Sequence, residues 1–184
     1  MAIPSTVSDV MTRLVLTTTP DARLEEAARM LRQFHISGLP VVDAERRIVG
    51  VISEKDIARD LQLASGLASP RGILDLLLES APPKGEGILE VCRNRLRNAR
   101  VRDLMSRPAV TLPPEAPISE AARSMRAHTI NRLPVVDPAG KVVGIVTRAD
   151  LLAGLGVRPH SEVRSRRPMP RGTRAPAPDP FADA

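Results

Sequence analysis

The sequence predicts an α+β fold of two related β-α-β-β-α units, because one pattern of residues occurs twice. The segment Leu39 to Asp43 recurs as Leu133 to Asp137. A constant shift of 94 residues aligns positions 9–57 with positions 103–151 without a gap, and 20 of the 49 aligned positions carry the same residue. Two copies are too few for a solenoid. We therefore expect the units to pack through their sheets and helices about a pseudo-twofold axis, with function in the clefts between them.

Each unit is predicted to begin with a short helix and an extended segment. The segments 15–18 and 109–112 favour a β conformation and end at Pro20 and Pro114, where a helix can start. The short helix is indicated by apolar residues at i, i+3 and i+4, which are Val7, Val10 and Met11 in the first unit and Val101, Leu104 and Met105 in the second.

The next helix of each unit carries an apolar stripe that should face the core. Two short apolar runs follow in each unit, and the polar turns 43–47 and 137–141 join them, which predicts two strands. Ser53 and Thr147 then occupy N-cap positions for a final helix. The stripe residues are Leu24, Ala27, Ala28, Leu31 and Phe34, and their equivalents Ile118, Ala121, Ala122, Met125 and His128.

We divide the chain into a first unit (1–60), a helical insertion (61–100), a second unit (101–157) and a tail (158–184). In the insertion, residues 73–78 and the apolar positions from 88 to 99 predict helices. Five arginines crowd the second of these helices, which fits either a solvated face or an anion-contacting patch. The tail holds six arginines, six prolines and three acids. It cannot bury enough apolar surface to offset the entropy of ordering, so we expect it to be disordered.

The single cysteine, Cys92, can form neither an internal disulfide nor a cysteine metal site, which indicates a reducing compartment. We expect it to act as a small apolar residue on a helix. No apolar run approaches the roughly 20 residues needed to cross a bilayer. We therefore predict a cytoplasmic protein without membrane insertion. Familiar catalytic motifs such as a P-loop or His-Glu-x-x-His are absent from the sequence, so we expect no enzyme activity, cofactor or metal.

The aromatic content narrows the class of ligand. Phe34 and Phe181 are the chain's only aromatic residues of the Phe, Tyr and Trp types, so the core must be aliphatic. Proteins that bind single-stranded nucleic acid usually stack bases on aromatic rings. The absence of such rings weighs against nucleic-acid binding, even though the net charge is +6. A purine bound here would lie between aliphatic side chains.

Four motifs occur in the same order in both units: Asp-x-Met, Leu-Pro-Val-Val-Asp, a Val-Gly strand and Ser/Thr-x-x-Asp. In this combination the sequence resembles a tandem cystathionine β-synthase (CBS) domain pair, also called a Bateman module. The resemblance covers residue 7 to about residue 152, apart from the insertion. It implies a regulatory module that binds AMP, ADP, ATP or S-adenosylmethionine in clefts between the units, often as a disc-shaped homodimer.

The resemblance points to Asp56 and Asp150 as ribose anchors, with Ser53 and Thr147 beside the sugar or phosphate. A carboxylate accepts strongly from the 2′- and 3′-hydroxyls of a ribose. The same spacing is also a capping box, which stabilises a helix by about 1 kcal/mol without any ligand. The two roles are compatible, because the hydroxyl can cap the helix while the aspartate faces a cleft.

The segment before each Leu-Pro is the second predicted site element. Because proline lacks an amide hydrogen and restrains its predecessor, we expect unpaired backbone groups that can read a purine edge, although a plain strand start explains the prolines equally well. By resemblance, these segments frame adenine and a threonine completes each cleft. The residues are Ser37, Gly38, Leu39, Pro40 and Thr17 in one site, and Asn131, Arg132, Leu133, Pro134 and Thr111 in the other.

The two units differ where a phosphate would lie, since Arg132 in the second unit aligns with Gly38 in the first. A planar guanidinium matches phosphate oxygens, so Arg132 is the preferred phosphate contact, ahead of Lys55 and Arg148. We therefore expect one site to bind nucleotide better than the other.

Three functions remain open at this point. The favoured one is an adenosine-nucleotide sensor that transmits its ligand state through the shape of a homodimer to an unidentified protein partner. A basic nucleic-acid or anion-binding protein is the second, and its binding would weaken steeply with salt. The third is a dimerisation module without a ligand, which the small residue Gly38 would fit.

Overall fold

The structure, a computed structural model, describes residues 5–61, 74, 78 and 88–154. These residues include the helix predicted in the second half of the insertion. The tail and most of the stretch 73–78 lie outside the described residues. In chain order the helices and strands are α1 (Val7–Val10), α2 (Leu24–Gln33), β1 (Gly38–Val42), β2 (Ile48–Ser53), α3 (Glu54–Asp60), α4 (Ile88–Asn98), α5 (Val101–Leu104), α6 (Ile118–Ala127), β3 (Arg132–Val136), β4 (Val142–Thr147) and α7 (Arg148–Gly154).

The predicted α+β pair is confirmed, with one small antiparallel sheet in each unit. Strand β1 pairs with β2, and β3 pairs with β4 in the equivalent register. Each sheet has an irregularity one residue before the end of its first strand. The turns that join the strands also pair with each other, through a bridge between Arg47 and Lys141. The sheets therefore meet close to the pseudo-twofold axis.

The predicted first strand of each unit is reduced to a single bridge. Thr18 bridges Val41 and Leu112 bridges Val135, both in the parallel sense. The chain leaves the sheet at once, since a proline follows two residues after each bridge and lacks the amide hydrogen that a ladder requires. The segments 15–18 and 109–112 are thus extended but do not form strands.

The long helix of each unit begins four residues after the predicted proline and ends in a left-handed residue. His35 and Thr129 have φ values of 53° and 55°, and the next amide donates back to Leu31 and Met125, as in a Schellman motif. The predicted stripe is buried at most positions, but Phe34, Ala122 and His128 are exposed. Phe34 and His128 miss the core because each helix has ended before them.

Each unit's core is completed by the short helix that begins the other unit. Val7 and Met11 belong to the core formed by the second unit, together with Leu133. Ala99 and Val101 belong to the core of the first. The two short helices have therefore exchanged places, and the units cannot be separated without opening both cores.

Backbone hydrogen bonds fix this exchange. Val7 N donates to Ala116 O at 2.8 Å, and Ser8 N donates to Pro114 O at 2.8 Å. The equivalent pairs in the other half are Val101 N to Ala22 O at 3.0 Å and Arg102 N to Pro20 O at 2.9 Å. The two predicted helix-starting prolines instead supply carbonyl acceptors for the exchanged helices.

The arginines around α4 act largely within the fold. Arg95 donates to both carboxylate oxygens of Asp60 at 2.8 and 3.0 Å, which ties α4 to α3. Arg100 donates to the backbone carbonyl of Asp21, and Arg102 donates to the carboxylate of the same residue. On the same helix, Cys92 is buried as predicted. Burial also raises the pKa of its thiol. The hydrogen bonds of Arg95, Arg100 and Arg102 within the fold weigh against an anion-binding patch around this helix.

The exchange predicts that Val7→Ala and Val101→Ala destabilise the protein by similar amounts. Both side chains are fully buried in the core of the other unit. Each change removes two buried methyl-sized groups and leaves a cavity, so the free energy of unfolding in urea should fall by about 2 kcal/mol. Val91→Ala is the matched control, since Val91 is 64% exposed on α4 and its loss should change that free energy by less than about 0.5 kcal/mol. An effect of Val7→Ala as small as the control's would contradict the exchanged packing.

Candidate ligand-binding site

Two clefts lie between the units, and each is built from both of them. The Asp150 cleft has a volume of about 470 Å³ and the Asp56 cleft of about 500 Å³. The Asp150 cleft is lined by Thr12, Leu14–Leu16, His35–Gly38, Asn131, Arg132, Ile145 and Thr147–Asp150. The Asp56 cleft is lined by Ser37, Val51, Ser53–Asp56, Arg59, Ser106, Pro108–Val110 and His128–Arg132.

In the Asp150 cleft, the aspartate is held at the start of α7 by the residue that caps the helix. Oδ2 of Asp150 accepts from the backbone N–H and the hydroxyl of Thr147, both at 2.7 Å. The amide of Asp150 donates back to the Thr147 hydroxyl at 3.2 Å. Among the described residues, no hydrogen bond reaches Oδ1. The helix cap therefore occupies one carboxylate oxygen and leaves the second available to the cleft.

In the Asp56 cleft, the same capping box is joined by a contact from the other unit. Oδ2 of Asp56 accepts from the N–H and hydroxyl of Ser53 at 2.9 and 2.5 Å. Oδ1 accepts from the hydroxyl of Ser106 at 3.2 Å and lies 3.9 Å from the Arg59 guanidinium. The Asp56 side chain is only 10% exposed. A ligand diol would replace these weak contacts to Oδ1.

Eight of the fourteen predicted site residues line a cleft. These are Ser37, Gly38, Ser53, Asp56, Asn131, Arg132, Thr147 and Asp150. The other six lie outside the lining, and among them Leu39 and Leu133 are fully buried in the core. The remaining four are Thr17, Pro40, Thr111 and Pro134.

The prediction of unpaired backbone groups around Leu-Pro is wrong for four carbonyls. Pro40 O accepts from Thr18 N at 3.0 Å, and Pro134 O accepts from Leu112 N at 3.2 Å. The carbonyls of Ser37 and Asn131 accept from the first amides of α3 and α7, at 3.2 and 3.1 Å. The extended segments and helix starts thus supply a donor to each of these carbonyls, so none of the four is unpaired.

The segments before the two Leu-Pro motifs form a shared wall instead of two separate sites. Ser37, Asn131 and Arg132 line both clefts. Ser37 is equivalent to Asn131, and Gly38 to Arg132, under the 94-residue shift. Equivalent residues approach each other at a twofold axis, so these segments lie side by side between the clefts.

Arg132 occupies the centre of this wall and explains Gly38. Its guanidinium donates to the hydroxyl of Ser37 and lies against Gly38, where a β-carbon would overlap it. That β-carbon would also lie 3.1 Å from the carbonyl oxygen of Ile52. Burial lowers the pKa of Arg132, while the charges of Glu54 and Asp56 favour its protonated form. The side chain predicted to contact phosphate in one site therefore lines both clefts.

Sequence reasoning missed the rims of both clefts. These rims are the segments after the exchanged helices, at 14–16 and 108–110, and the loops after α2 and α6. One signal was present, because Asp-x-Met is followed by Thr12 in the first unit and Ser106 in the second, and each of these residues lines a cleft. His128, predicted on the core-facing stripe, is exposed and lines the Asp56 cleft.

Comparison with known proteins identifies the family. The CBS domain matches residues 7–63 and 101–156. The chain belongs to the CBS domain family. Among its relatives is an uncharacterized protein of Methanocaldococcus jannaschii, MJ1426, which is 37% identical over 156 residues, or 81% of this chain and 90% of that protein. Inosine-5'-monophosphate dehydrogenase of the same organism is 28% identical over 144 residues, which is 78% of this chain but only 22% of the enzyme.

Solved CBS structures share the fold. The CBS domain pair of protein MJ0100, in complex with 5'-methylthioadenosine and S-adenosyl-L-methionine, has a TM-score of 0.61 and 26% identity, and the match covers 83% of this chain and 98% of that one. CBSX2 of Arabidopsis thaliana in complex with AMP has a TM-score of 0.62 and 28% identity, and the match covers 85% of this chain and all of that one.

Two other kinds of site are not found in the part of the CBS pair that the structure describes. No group of three or more His, Cys, Asp or Glu side chains is placed to hold a metal ion there. Within the same residues, none of the helices combines the length and hydropathy needed to cross a membrane.

The contact between Gly38 and Arg132 predicts a strong coupling between mutations at these positions. Gly38→Ala should lower the free energy of unfolding by about 1–3 kcal/mol, because the new β-carbon displaces the guanidinium and crowds the Ile52 carbonyl. In an Arg132→Ala background the same change should cost less than half as much. Chemical denaturation of the four proteins in this double-mutant cycle measures the difference. Additive effects would show that the guanidinium does not rest on Gly38.

Proposed function

We propose that this CBS pair is a regulatory module that binds adenosine-containing ligands, such as AMP, ADP, ATP or S-adenosylmethionine, in the Asp150 and Asp56 clefts. The observation that carries the proposal is the position of the two aspartates. Each is fixed at a helix start through Oδ2 and lines a cleft. A carboxylate held in this way is prepared to accept two hydrogen bonds from a ribose diol without losing its own side-chain freedom on binding.

The walls of the clefts suit a purine without aromatic stacking. In the Asp150 cleft, Leu14, Val15, Ile36 and Ile145 provide aliphatic surface beside the polar groups. Ligand pockets are commonly apolar with a few placed polar groups, which matches this composition. The two solved CBS pairs that contain AMP, or 5'-methylthioadenosine and S-adenosyl-L-methionine, support an adenosine ligand for this chain.

The proposed role is binding and signalling, with no catalytic step. The chain's one thiol is buried, and burial raises its pKa, so Cys92 is a poor nucleophile. The readout that we propose is a change in the shape of a homodimer, which a protein partner detects. A ligand can shift such an equilibrium only by its differential affinity for the two shapes. Small-angle X-ray scattering with and without AMP measures whether the shape of the homodimer changes.

Calorimetric titration with AMP, ATP and S-adenosylmethionine tests the ribose assignment. Asp56→Asn and Asp150→Asn each keep a side-chain acceptor for the helix cap but remove the carboxylate charge. Losing a charge-assisted hydrogen bond costs about 1.5–3 kcal/mol, so the affinity of the altered cleft should fall roughly 10- to 100-fold. Unchanged affinity at both positions would refute the assignment.

Asp9→Asn is the matched control for these variants. Oδ2 of Asp9 accepts from the amides of Thr6 and Ser5 at 2.9 and 3.0 Å, so it resembles the other two caps, but it lines neither cleft. These hydrogen bonds lower the pKa of Asp9. Its replacement should reduce stability and leave ligand affinity as in the wild type. Equal losses of affinity in all three variants would indicate a general effect of weakened helix caps.

Salt dependence distinguishes the proposal from nucleic-acid binding. A ligand with one or two phosphate charges should lose less than about tenfold in affinity between 50 and 200 mM salt, whereas a protein that contacts 6–10 phosphates loses about 10³–10⁵-fold. Titrations of AMP and of a DNA duplex at several salt concentrations, with the full chain and with residues 1–157, give both slopes. Tight duplex binding that persists without the tail would favour the basic-protein alternative.

A further inference from the structure

One arginine side chain, that of Arg132, is shared by the linings of the two clefts. Arg132 lines both, while each of the other cationic side chains in the linings belongs to one cleft only: Arg148 to the Asp150 cleft, and Lys55 and Arg59 to the Asp56 cleft. The position of Arg132 follows from the pseudo-twofold relation between positions 38 and 132. Because two long side chains cannot occupy the same place at the axis, the arginine of one unit requires a glycine in the other.

The surroundings of Arg132 leave its guanidinium available to an anion. It is partly buried and donates to the neutral hydroxyl of Ser37. The charges of Glu54 and Asp56 act on it, but among the described residues it forms no close ion pair of the kind that joins Arg95 to Asp60 at 2.8 Å. A guanidinium in this setting gains from a phosphate oxygen, because charge-assisted hydrogen bonds are shorter and stronger than bonds to neutral acceptors. Its five donors form a fixed fork, however, so a guanidinium that turns its donors toward a phosphate in one cleft has fewer donors left for the other.

We propose that Arg132 is an anion contact shared by the two clefts, and that it makes the binding of two phosphate-bearing ligands negatively cooperative. This inference rests on the proposed function. The first ligand to bind draws the guanidinium to its own phosphate, and the second cleft then binds its ligand without that contact. Ligands that lack a phosphate do not compete for the guanidinium, so adenosine fills the two clefts independently.

The expected size of the coupling follows from the contact that is lost. Hydrogen bonds to charged groups change an equilibrium by about tenfold to a hundredfold. Binding of AMP in one cleft should therefore weaken AMP binding in the other by a factor in this range. By linkage, the factor is the same whichever cleft is filled first.

Two equivalent helix positions allow each cleft to be closed by itself. Lys55 lines only the Asp56 cleft and Ala149 only the Asp150 cleft, both are exposed, and the 94-residue shift relates them. Lys55→Trp should fill the Asp56 cleft and Ala149→Trp the Asp150 cleft, with little effect on folding. Calorimetric titrations with AMP then measure each open cleft alone, while the wild type gives the overall constant for filling both.

The proposal expects the product of the two single-cleft Kd values to be about 10- to 100-fold smaller than the overall two-site constant of the wild type. In an Arg132→Gln background the two quantities should agree within about threefold. The same substitution should weaken AMP binding at least about tenfold in both single-cleft proteins, and change adenosine binding less than about threefold. Arg148→Gln is the control for a cation in one cleft, since it should weaken AMP binding there and leave the coupling intact.

Several results would overturn the inference. Agreement between the product and the overall constant in the wild type would exclude coupling, and coupling that survives Arg132→Gln would assign it to other groups. Arg132→Met, of similar length and without polar atoms, repeats the test if the glutamine variant unfolds at a lower temperature than the wild type. If neither AMP nor adenosine binds the wild type, the proposed function itself fails; if both bind without any dependence on Arg132, only the shared contact fails.

Discussion

The exchange of short helices between the units is the constraint on which the rest of the structure depends. Val7 and Val101 each complete the core of the other unit, so neither unit has a finished core alone. The chain that leaves each exchanged helix runs along the seam and becomes a rim of a cleft, at 14–16 and 108–110. The same packing that stabilises the pair therefore brings the helix-capping aspartates opposite a wall from the other unit.

The pseudo-twofold axis explains why the two clefts share one arginine, where two equivalent arginines would collide. Equivalent residues meet at the axis, and backbone groups can do so symmetrically, as Arg47 and Lys141 do where the turns bridge. Side chains cannot share one volume, so Arg132 is accommodated by Gly38. The small residue that fitted a site without a ligand in the first unit instead makes room for an arginine that lines both clefts. The duplicated chain therefore carries different residues, Gly38 and Arg132, at two equivalent positions beside the axis.

Helix capping and ligand binding are compatible roles of the same aspartates. In both clefts the cap uses Oδ2, while Oδ1 of Asp56 contacts the Ser106 hydroxyl of the other unit. A capped carboxylate has few rotamers left to lose, which reduces the entropy cost of binding a diol. The capping boxes thus favour the ligand role, because they hold the aspartates in place before a ligand arrives.

The sequence by itself determined the features that depend on local spacing. These are the apolar helix faces and the caps at Ser53 and Thr147, since each is set by residues within about five positions of one another. The duplication is visible directly as a repeat, and the strand pairs follow from apolar runs joined by short polar turns. It also indicated eight of the residues that line the clefts. Only the tertiary structure decided that Arg132 lies on Gly38, that the short helices are exchanged and that the first strands shrink to a bridge. The first two outcomes depend on contacts between residues 79 to 109 positions apart, and the bridges join residues 23 positions apart. No local pattern specifies these partners.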